Sequence, residues 1–453
     1  MSNDPSAAEQ ESGALDAFRR FFALERDVVT LSVAMFAFSL AFQMTNRYLP
    51  EYLVALGASG LVVGLFGTVG NVISAAYPYP GGAVSDRVGS RYSLTLFGLV
   101  STVGFAVWLV APGIGAVTVA GVTVRPWVWV FVGLPLAQAW KSFGLGASFA
   151  VVKQATDPSK LAAGFASTET FRRTAFLVGP VLAAALIGLR ADFAASFQYV
   201  LAVGVAFGLV GTAVQHVLYD ARDDTIGDSF DGVDRIRRDL RTMPDELRPL
   251  LVGDTLVRFA NGMVYVFFVL VVTQVYEAGF AATLSVGEFA YAVDLSPAAF
   301  FGYLLGVEML VALLTMAPAA RAAERVGLKP IVALGFLVYG IFPVVLIAVP
   351  GALAPGVPVQ WSLVLVFAFS GLRFAGLPSH KALIVGPAER DAGGRVTGTY
   401  YLLRNVVVIP SAALGGLLWE FVSPATAFAT ASVLGVAGTL FFLRFGEEFD
   451  AYR

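Results

Sequence analysis

The sequence predicts an all-α membrane protein in which twelve transmembrane helices form two pseudo-symmetric six-helix bundles, with both termini in the cytoplasm. Hydrophobic residues make up 57% and charged residues 14% of the 453 positions, and the mean hydropathy is +0.75. A soluble chain of this length carries more charge and fewer apolar residues. Since a bilayer core about 30 Å thick needs roughly 20 apolar residues per helix, the chain is long enough to cross it many times.

Apolar windows of that length can be placed at twelve positions, named segments 1 to 12. They cover residues 28–49, 60–80, 93–111, 127–153, 161–188, 195–218, 250–275, 296–318, 330–350, 360–385, 397–420 and 425–443. Arg and Lys collect in the connections that follow the even-numbered segments, which by the positive-inside rule places both termini in the cytoplasm. A cleaved signal peptide has a basic stretch, a short apolar run and a cleavage site, and this pattern does not precede segment 1. We therefore expect an uncleaved, multi-pass protein of the plasma membrane.

A polar stretch at 219–249 divides the chain and is expected to be a cytoplasmic linker. It separates a first bundle at 28–218 from a second at 250–443, with cytoplasmic tails at 1–27 and 444–453. Two similarities relate the bundles. The run GAVSDRVGSR at 82–91 has a degraded copy, ARAAERVGLK, 238 residues later; separately, Lys141 matches Arg373 and Arg172 matches Arg404 at an offset of 232. Such a duplication is a sequence signature of many transporters.

The two runs resemble the cytoplasmic loop motif of major facilitator superfamily transporters, which joins helices 2 and 3 and, in a weaker copy, helices 8 and 9. The resemblance implies alternating access and a latch that holds the two halves together on the cytoplasmic side. In that latch Asp86 faces the start of segment 11, near Thr397 and Gly398, and Glu324 faces the start of segment 5, near Leu161. The implied gating residues are Gly82, Asp86, Arg87, Gly89, Arg91, Glu324, Arg325 and Gly327. The alternative is a pair of solvated turns that only fix the topology.

Segment 5 resembles a motif of antiporters in the same superfamily, G-x8-G-x3-G-P-x2-G-G. The matching positions are Ala166, Ala175, Gly179, Pro180, Ala183 and Ala184, so four of the five glycines are alanine here. The unchanged pair, Gly179 and Pro180, adds two gating candidates. This resemblance favours antiport and export, and the alternative is an ordinary helix interface built from small residues.

Ionisable side chains inside membrane segments cost about 2.5–3.5 kcal/mol on insertion scales and normally face the protein interior or a water-filled cavity. In the superfamily's fold, helices 1, 4, 7 and 10 line a central cavity and helices 2, 5, 8 and 11 flank it. The substrate-binding candidates on such helices are Lys141, Arg373, Arg172, Arg404, Gln43, Asn46 and Tyr265. The four cations are expected to form a ring in which Lys141 and Arg373 face each other. A ring of this kind attracts anions, because guanidinium groups bind carboxylate or phosphate in bidentate fashion.

The alternative to a substrate-binding ring is pairing of these charges within the protein. Glu169 with Arg173, and Asp254 with Arg258, are four residues apart, which suits ion pairs on one helix face. Glu308 could neutralise one more cation. Even with all three acids paired, the interior would keep an excess of positive charge.

Transport by this chain is expected to be secondary, because the sequence contains no phosphate-binding loop of the ATPase type. Proton coupling needs a carboxylate whose surroundings let it change its protonation state. Glu308 is the first candidate and is expected to be buried near a cation; Asp254, with Arg258 beside it, is the second. Arg47 and Glu51 are expected at the outer mouth. Facilitated diffusion and anion exchange need no proton site and stay open.

Composition argues against other classes of function. A net charge of −2 disfavours nucleic-acid binding, and the absence of cysteine excludes disulfides and thiolate metal sites. His216 and His380 fall in different segments, so we expect no metal site and no cofactor. No nucleophilic side chain is visibly paired with a general base, so we expect that the protein is not an enzyme.

The leading hypothesis is a monomeric, proton-coupled secondary transporter of a small solute, with protons and the lipid bilayer as its other partners. One alternative is a transporter or exchanger of a small organic anion or phosphate ester. A more remote alternative is a membrane receptor on the same fold that transports nothing.

Overall fold

The computed structural model describes residues 26–77, 84, 88–119, 121–142, 161–218, 245–286, 289–350, 356–385 and 393–448. Within these ranges every predicted segment contains helix, and the strands form two hairpins. The N-terminal tail and the linker fall almost wholly outside the described residues, and the C-terminal tail is described only as far as Glu448. The domain boundaries stay predictions.

The first half consists of the helices of segments 1 to 6. Their bounds are Arg26–Thr45 and Leu49–Ala55 in segment 1, Gly60–Ala76 in segment 2, Ser90–Ile114 in segment 3, Trp127–Ala137 in segment 4, Leu161–Ile187 in segment 5 and Phe193–Leu218 in segment 6. Between segments 3 and 4, strands β1 (Val117–Val119) and β2 (Val122–Val124) form an antiparallel hairpin. The β-branched Val and Thr of this loop favour the extended backbone.

The second half repeats this plan with more interruptions. Segment 7 is helical over Leu247–Val264 and continues through Tyr265–Phe267, Phe268–Leu270 and a π-helical turn at Val271–Val275; the other helices are Pro297–Val326, Leu328–Ala348, Val359–Gly371, Leu372–Phe374, Leu377–Val385, Gly393–Val408, Ser411–Phe421 and Pro424–Phe445. A second antiparallel hairpin, β3 (Phe280–Val286) with β4 (Phe289–Leu295), joins segments 7 and 8. The sequence analysis did not anticipate either hairpin.

Eight helices among the described residues are long and apolar enough to cross a membrane, and they belong to segments 3 and 6 to 12. Shorter apolar helices occupy segments 1, 2 and 5. The prediction of a multi-pass, mostly helical membrane protein is therefore confirmed. Twelve crossings and cytoplasmic termini stay predictions.

Two segments are broken at points that position polar side chains. The first helix of segment 1 ends at Thr45, and the chain turns before a new helix starts at Leu49. Pro50 lies in the first turn of that new helix, where its missing N–H removes no hydrogen bond. Segment 11 is broken in the same way before Ser411, where Pro410 stands at the start of the second helix. Broken helices at membrane depth are tolerated where they are packed in protein or line a cavity.

The internal repeat of the sequence is also present in the backbone. Gly89 has φ 82° and ψ 158° immediately before the helix of segment 3, and Gly327 has φ 91° and ψ 165° immediately before the helix of segment 9. Positive φ is adopted readily by glycine and costs other residues energy. The two glycines are the matching positions of the repeated run, so both copies make the same turn.

The two halves pack closely at one end of the bundle, defined by Glu51, Gly60 and Glu420 and called the closed end below. The backbone N–H of Gly60 donates to Oε2 of Glu420 at 2.8 Å, and a Cβ on Gly64 would lie 2.6 Å from the carbonyl oxygen of Ala412. Small residues allow this approach of segments 2 and 11.

Candidate functional site

Two adjoining cavities lie between the halves, beneath the closed end. The first has a volume of about 220 Å³ and the second of about 190 Å³, and Gly67, Asn71, Tyr265 and Val266 border both. The polar residues found only in the first are Asn46, Arg47, Ser74, Gln138 and Lys141. Those found only in the second are Arg258, Asn261, Arg404 and Asn405.

The walls of these cavities are strongly cationic. Four basic side chains, Arg47, Lys141, Arg258 and Arg404, line them, and none of the lining residues in the described part of the chain is acidic. Asparagine, glutamine, Ser74 and Tyr265 supply the remaining polar groups. Basic side chains without an opposing acid on the same wall favour a negatively charged ligand.

Glu308 joins the two halves through a buried ion triad, called the bridging triad below. Its carboxylate, 2% exposed, accepts a hydrogen bond from Nη2 of Arg373 and another from the Ser370 hydroxyl at 3.2 Å. Nη2 of Arg47 lies 3.5 Å from its other oxygen. The expected burial of Glu308 beside a cation is confirmed, whereas its role in coupling stays a prediction.

Arg47 reaches this triad because of the break in segment 1. The sequence analysis placed Arg47 with Glu51 at the outer mouth, and that placement was wrong for Arg47. Its guanidinium lies over the Tyr265 ring at 4.3 Å, lines the first cavity and pairs with Glu308. Glu51 instead accepts hydrogen bonds from the Thr273 hydroxyl at 2.6 Å and from the Gln274 amide at 3.3 Å.

The predicted ring of four cations is not assembled by the described side chains. Arg373 is 3% exposed, is absent from both cavity walls and lies between the rings of Phe268, Tyr339, Phe342 and Phe374. It therefore does not face Lys141 across a cavity. A buried guanidinium needs a carboxylate partner, and Glu308 provides it within the same half. The Arg172 side chain, like those of Glu169 and Arg173, lies outside the described ones.

Asp254 forms a second triad within the second half, called the lateral triad below. Its carboxylate is fully buried and pairs with Nε of Arg258 at 3.2 Å and Nη1 of Arg404 at 3.0 Å. The Tyr400 hydroxyl donates to it at 3.1 Å. Nε2 of His380 lies 3.2 Å away without hydrogen-bond geometry. The predicted pairing of Asp254 with Arg258 is confirmed, and its partners from segments 10 and 11 were not predicted.

No protein-family model matches the chain. Over 214 residues it is 28% identical to two uncharacterised MFS-type transporters from strains of Mycobacterium tuberculosis, in alignments that cover 47% of this chain and 46% of each relative. The chain thus matches about half the length of these curated relatives.

Solved structures superpose on nearly the whole chain. A peptide transporter, POT, in complex with alafosfalin has a TM-score of 0.68 at 16% identity, covering 93% of this chain and 95% of its own. The nucleoside transporter NupG has a TM-score of 0.71 at 12% identity, covering 93% and 100%. The human organic anion transporter MFSD10 has a TM-score of 0.59 at 16% identity, covering 92% and 98%. The resemblance to the major facilitator superfamily is confirmed. At these identities the likeness establishes the fold alone.

Segments 2 and 11 are in contact, as are segments 5 and 8, and both contacts join the two halves. Gly179 and Pro180 lie in the second of these. A Cβ on Gly179 would lie 2.7 Å from Cβ of Gln43, and one on Gly302 would lie 2.6 Å from the carbonyl oxygen of Pro180. Gln43 therefore packs against segment 5 and is not among the residues of either cavity wall. The antiporter role of Gly179 and Pro180 stays a prediction.

The loop motif of the superfamily is only partly visible here. Gly82, Asp86 and Arg87 lie outside the described residues, whereas Gly89 and Arg91 lie at the start of segment 3. In the second copy, Glu324 and Arg325 are exposed. Glu448, which follows segment 12, accepts hydrogen bonds from the N–H groups of Leu328 at 3.0 Å and Lys329 at 2.8 Å.

The acid at the start of segment 9 is therefore Glu448, a residue that the sequence analysis did not consider. A carboxylate at a helix N-terminus is stabilised by the free N–H groups and the helix dipole. A Cβ on Gly327 would also meet the end of the flexible Glu448 side chain, but the positive φ is what favours glycine there. The expected latch of Glu324 near Leu161 stays a prediction, because the side chains at the start of segment 5 are not described.

Sequence reasoning also missed the stripe of glycines on segment 2. Gly60 and Gly64 face the second helix of segment 11, where a Cβ on Gly416 would lie 3.0 Å from Cα of Gly64. The spacing of Gly60 and Gly64 is the small-x-x-x-small pattern of packed membrane helices. That pattern could have identified this interface from the sequence.

Proposed function

We propose that this protein is a secondary transporter, acting as a monomer in the plasma membrane, that moves a small organic anion by alternating access. The observation that carries the proposal is the cavity wall with four basic side chains and no acid among its described residues. Each ion triad contains two arginines and one carboxylate. Each triad therefore keeps one excess positive charge, and a negatively charged substrate between the halves compensates such a charge.

Hydrogen-bonding capacity supports the same proposal. Nη1 of Arg47 is buried and has no hydrogen-bond partner in the described part of the chain. Arg47 lines the first cavity. An unpaired buried donor on a guanidinium is costly, and a carboxylate or phosphate oxygen of the substrate satisfies it.

The closed end defines the state of the transport cycle under this proposal. If the N-terminus is cytoplasmic, as the positive-inside rule predicts, the closed end faces the exterior. The substrate then leaves or enters from the cytoplasmic side in this conformation. Opening to the exterior requires Gly64 to part from Ala412 and Glu51 to part from Thr273, the contacts that hold the closed end together.

The position of Arg47, which pairs with Glu308 and also lines the cavity, supports proton coupling as part of this proposal. A substrate anion and the Glu308 carboxylate compete for the same guanidinium. A proton on Glu308 removes the repulsion, so the proton and the anion favour each other's binding, and by linkage the coupling is reciprocal. The proposal is therefore cotransport of proton and anion, in contrast to the antiport that the segment 5 motif favoured.

Ligand-dependent thermal unfolding of the purified protein tests the anion specificity directly, because a ligand stabilises the native state according to its affinity. Small carboxylates and phosphate esters should raise the unfolding temperature, and cationic dyes should not. Lys141→Gln should weaken anion binding by about tenfold or more, the value of one charged hydrogen bond. Arg190→Gln is the matched control, since Arg190 lies outside both cavities, in a separate pocket between segments 3 and 6.

Flux into liposomes separates a transporter from a receptor on the same fold. Uptake of a stabilising anion that is faster in protein-containing than in empty liposomes supports transport. Stabilisation without any flux would favour the receptor. Stabilisation by cations and not by anions would overturn the proposal.

A further inference from the structure

The four basic residues of the cavity wall form two separate groups, and this separation bears on the shape of the substrate. Arg47 and Lys141 line the first cavity, and they are called the first pole below. Arg258 and Arg404 line the second, and they are called the second pole. Asn71 and Tyr265 lie between the poles, since they border both cavities.

We infer that the substrate is a small dianion with an acidic group at each end and a polar, uncharged body. The inference rests on the proposed function and specifies the substrate class of the same site. In addition to Lys141, the bridging triad leaves one excess positive charge at the first pole, and the lateral triad leaves one at the second. A monoanion compensates only one of them.

The side chains between the poles suit the body of such a molecule. Asn71 and Tyr265 are shared, and the amides of Asn46 and Gln138 on one side and of Asn261 on the other add donors and acceptors. Neutral amides and a phenol bind hydroxyl or carbonyl groups without requiring charge. The centre of the cavity therefore matches the uncharged middle of the ligand.

Size gives a second constraint. Cavities of about 220 and 190 Å³ each correspond to the volume of roughly seven water molecules. A ligand that fills both has on the order of a dozen heavy atoms, which is the size of a short dicarboxylate or a phosphorylated hydroxy acid.

The same walls exclude a zwitterion. An ammonium group needs a carboxylate or a set of acceptors without neighbouring cations, and Glu308 and Asp254 are both buried behind their own arginines. At either pole an ammonium group would meet like charge. Replacing one acidic end of the substrate by an amine therefore weakens binding.

The experiment is a titration of the purified wild-type protein with unbranched dicarboxylates from succinate to suberate, followed by calorimetry or thermal unfolding. Each diacid is compared with its half-amide and with the ω-amino acid of equal length. One dicarboxylate of preferred length should bind at least about tenfold more tightly than its half-amide, and more tightly still than the amino acid. In Lys141→Gln this preference for the diacid should fall, whereas Arg190→Gln should keep it.

The possible outcomes distinguish the two proposals. Equal binding of diacid and half-amide would overturn the dianion while leaving an anion transporter in place. Equal binding of the ω-amino acid would also overturn it. If none of these anions binds, both proposals fail. Because the ligand series uses the wild-type protein, the result does not depend on whether a variant folds.

Discussion

Replacing Glu308 by glutamine removes the negative charge that joins Arg47 in the first half to Arg373 in the second. Glutamine keeps nearly the same shape and one acceptor oxygen. The substitution therefore imitates the protonated carboxyl group. If proton and anion bind together, the variant should bind the anion as the protonated wild type does, at every pH.

The magnitude follows from the geometry of the bridging triad. An anion on the cavity side of the Arg47 guanidinium would lie about 7 Å from the Glu308 carboxylate, because the carboxylate itself is 3.5 Å from Nη2. Two negative charges at that distance repel by about 2.4 kcal/mol at an effective dielectric constant of about 20. This energy corresponds to roughly a 50-fold difference in anion affinity. At high pH, Glu308→Gln should therefore bind the anion roughly 50-fold more tightly than the wild type.

The assay compares two kinds of flux in proteoliposomes. Glu308→Gln should lose accumulation driven by a pH gradient and keep exchange of labelled for unlabelled anion at equal concentrations. Asp192→Asn is the control, since the Asp192 carboxylate accepts a hydrogen bond from the N–H of Ala195 at 2.6 Å within the first half and Asp192 is absent from both cavity walls. That variant should keep gradient-driven accumulation.

Two results would refute this reasoning. If Glu308→Gln still accumulates the anion when a pH gradient is applied, Glu308 takes no part in coupling. If its anion affinity at high pH equals that of the wild type, the competition for Arg47 does not exist. The loss of a buried charge partner for Arg373 also predicts a lower unfolding temperature, which the exchange measurement controls for.

Three further predictions concern stability and closure. Gly64→Leu should hold the closed end open, because even a Cβ at position 64 would lie 2.6 Å from the Ala412 carbonyl oxygen. A single cysteine introduced at position 412 of this cysteine-free chain should then react with an impermeant thiol reagent at least about tenfold faster than the same cysteine does when Gly64 is present. Asp254→Asn should destabilise the protein by about 3 kcal/mol, the low end for a broken buried ion pair, because Arg258 and Arg404, which are 22% and 15% exposed, lose their carboxylate. Tyr400→Phe should destabilise it by less, since only one hydrogen bond is lost. Unfolding temperatures in detergent rank the two variants, and equal losses would contradict the triad. Burial raises the pKa of the Glu51 carboxyl above its ordinary value, although hydrogen bonds from Thr273 and Gln274 act in the opposite direction. Protonated Glu51 should therefore favour the closed end at pH values below the ordinary pKa of a glutamate, and this stabilisation should be lost as the pH rises through the raised pKa of Glu51. Glu51→Gln should remove that pH dependence from the rate of the thiol reaction at position 412.

The sequence determined the features that depend on local composition and spacing. Apolar stretches predicted the helical segments, and the repeated run predicted a duplicated half; the two copies of the run make the same turn, at Gly89 and at Gly327. The burial of Glu308 followed from the cost of a carboxylate at membrane depth. The pairing of Asp254 with Arg258 followed from helical spacing. In each case the evidence lies within one segment or in one comparison of the two halves.

Only the tertiary structure decided which cation meets which acid. Arg47 reaches Glu308 because segment 1 breaks before Pro50, and Arg373 turns to the same carboxylate and away from the cavity. These outcomes depend on the rotation of each helix about its axis and on the approach allowed by residues such as Gly64. Hydropathy cannot report them, because it records how apolar a segment is, whereas ion pairing between segments depends on where each packed face points.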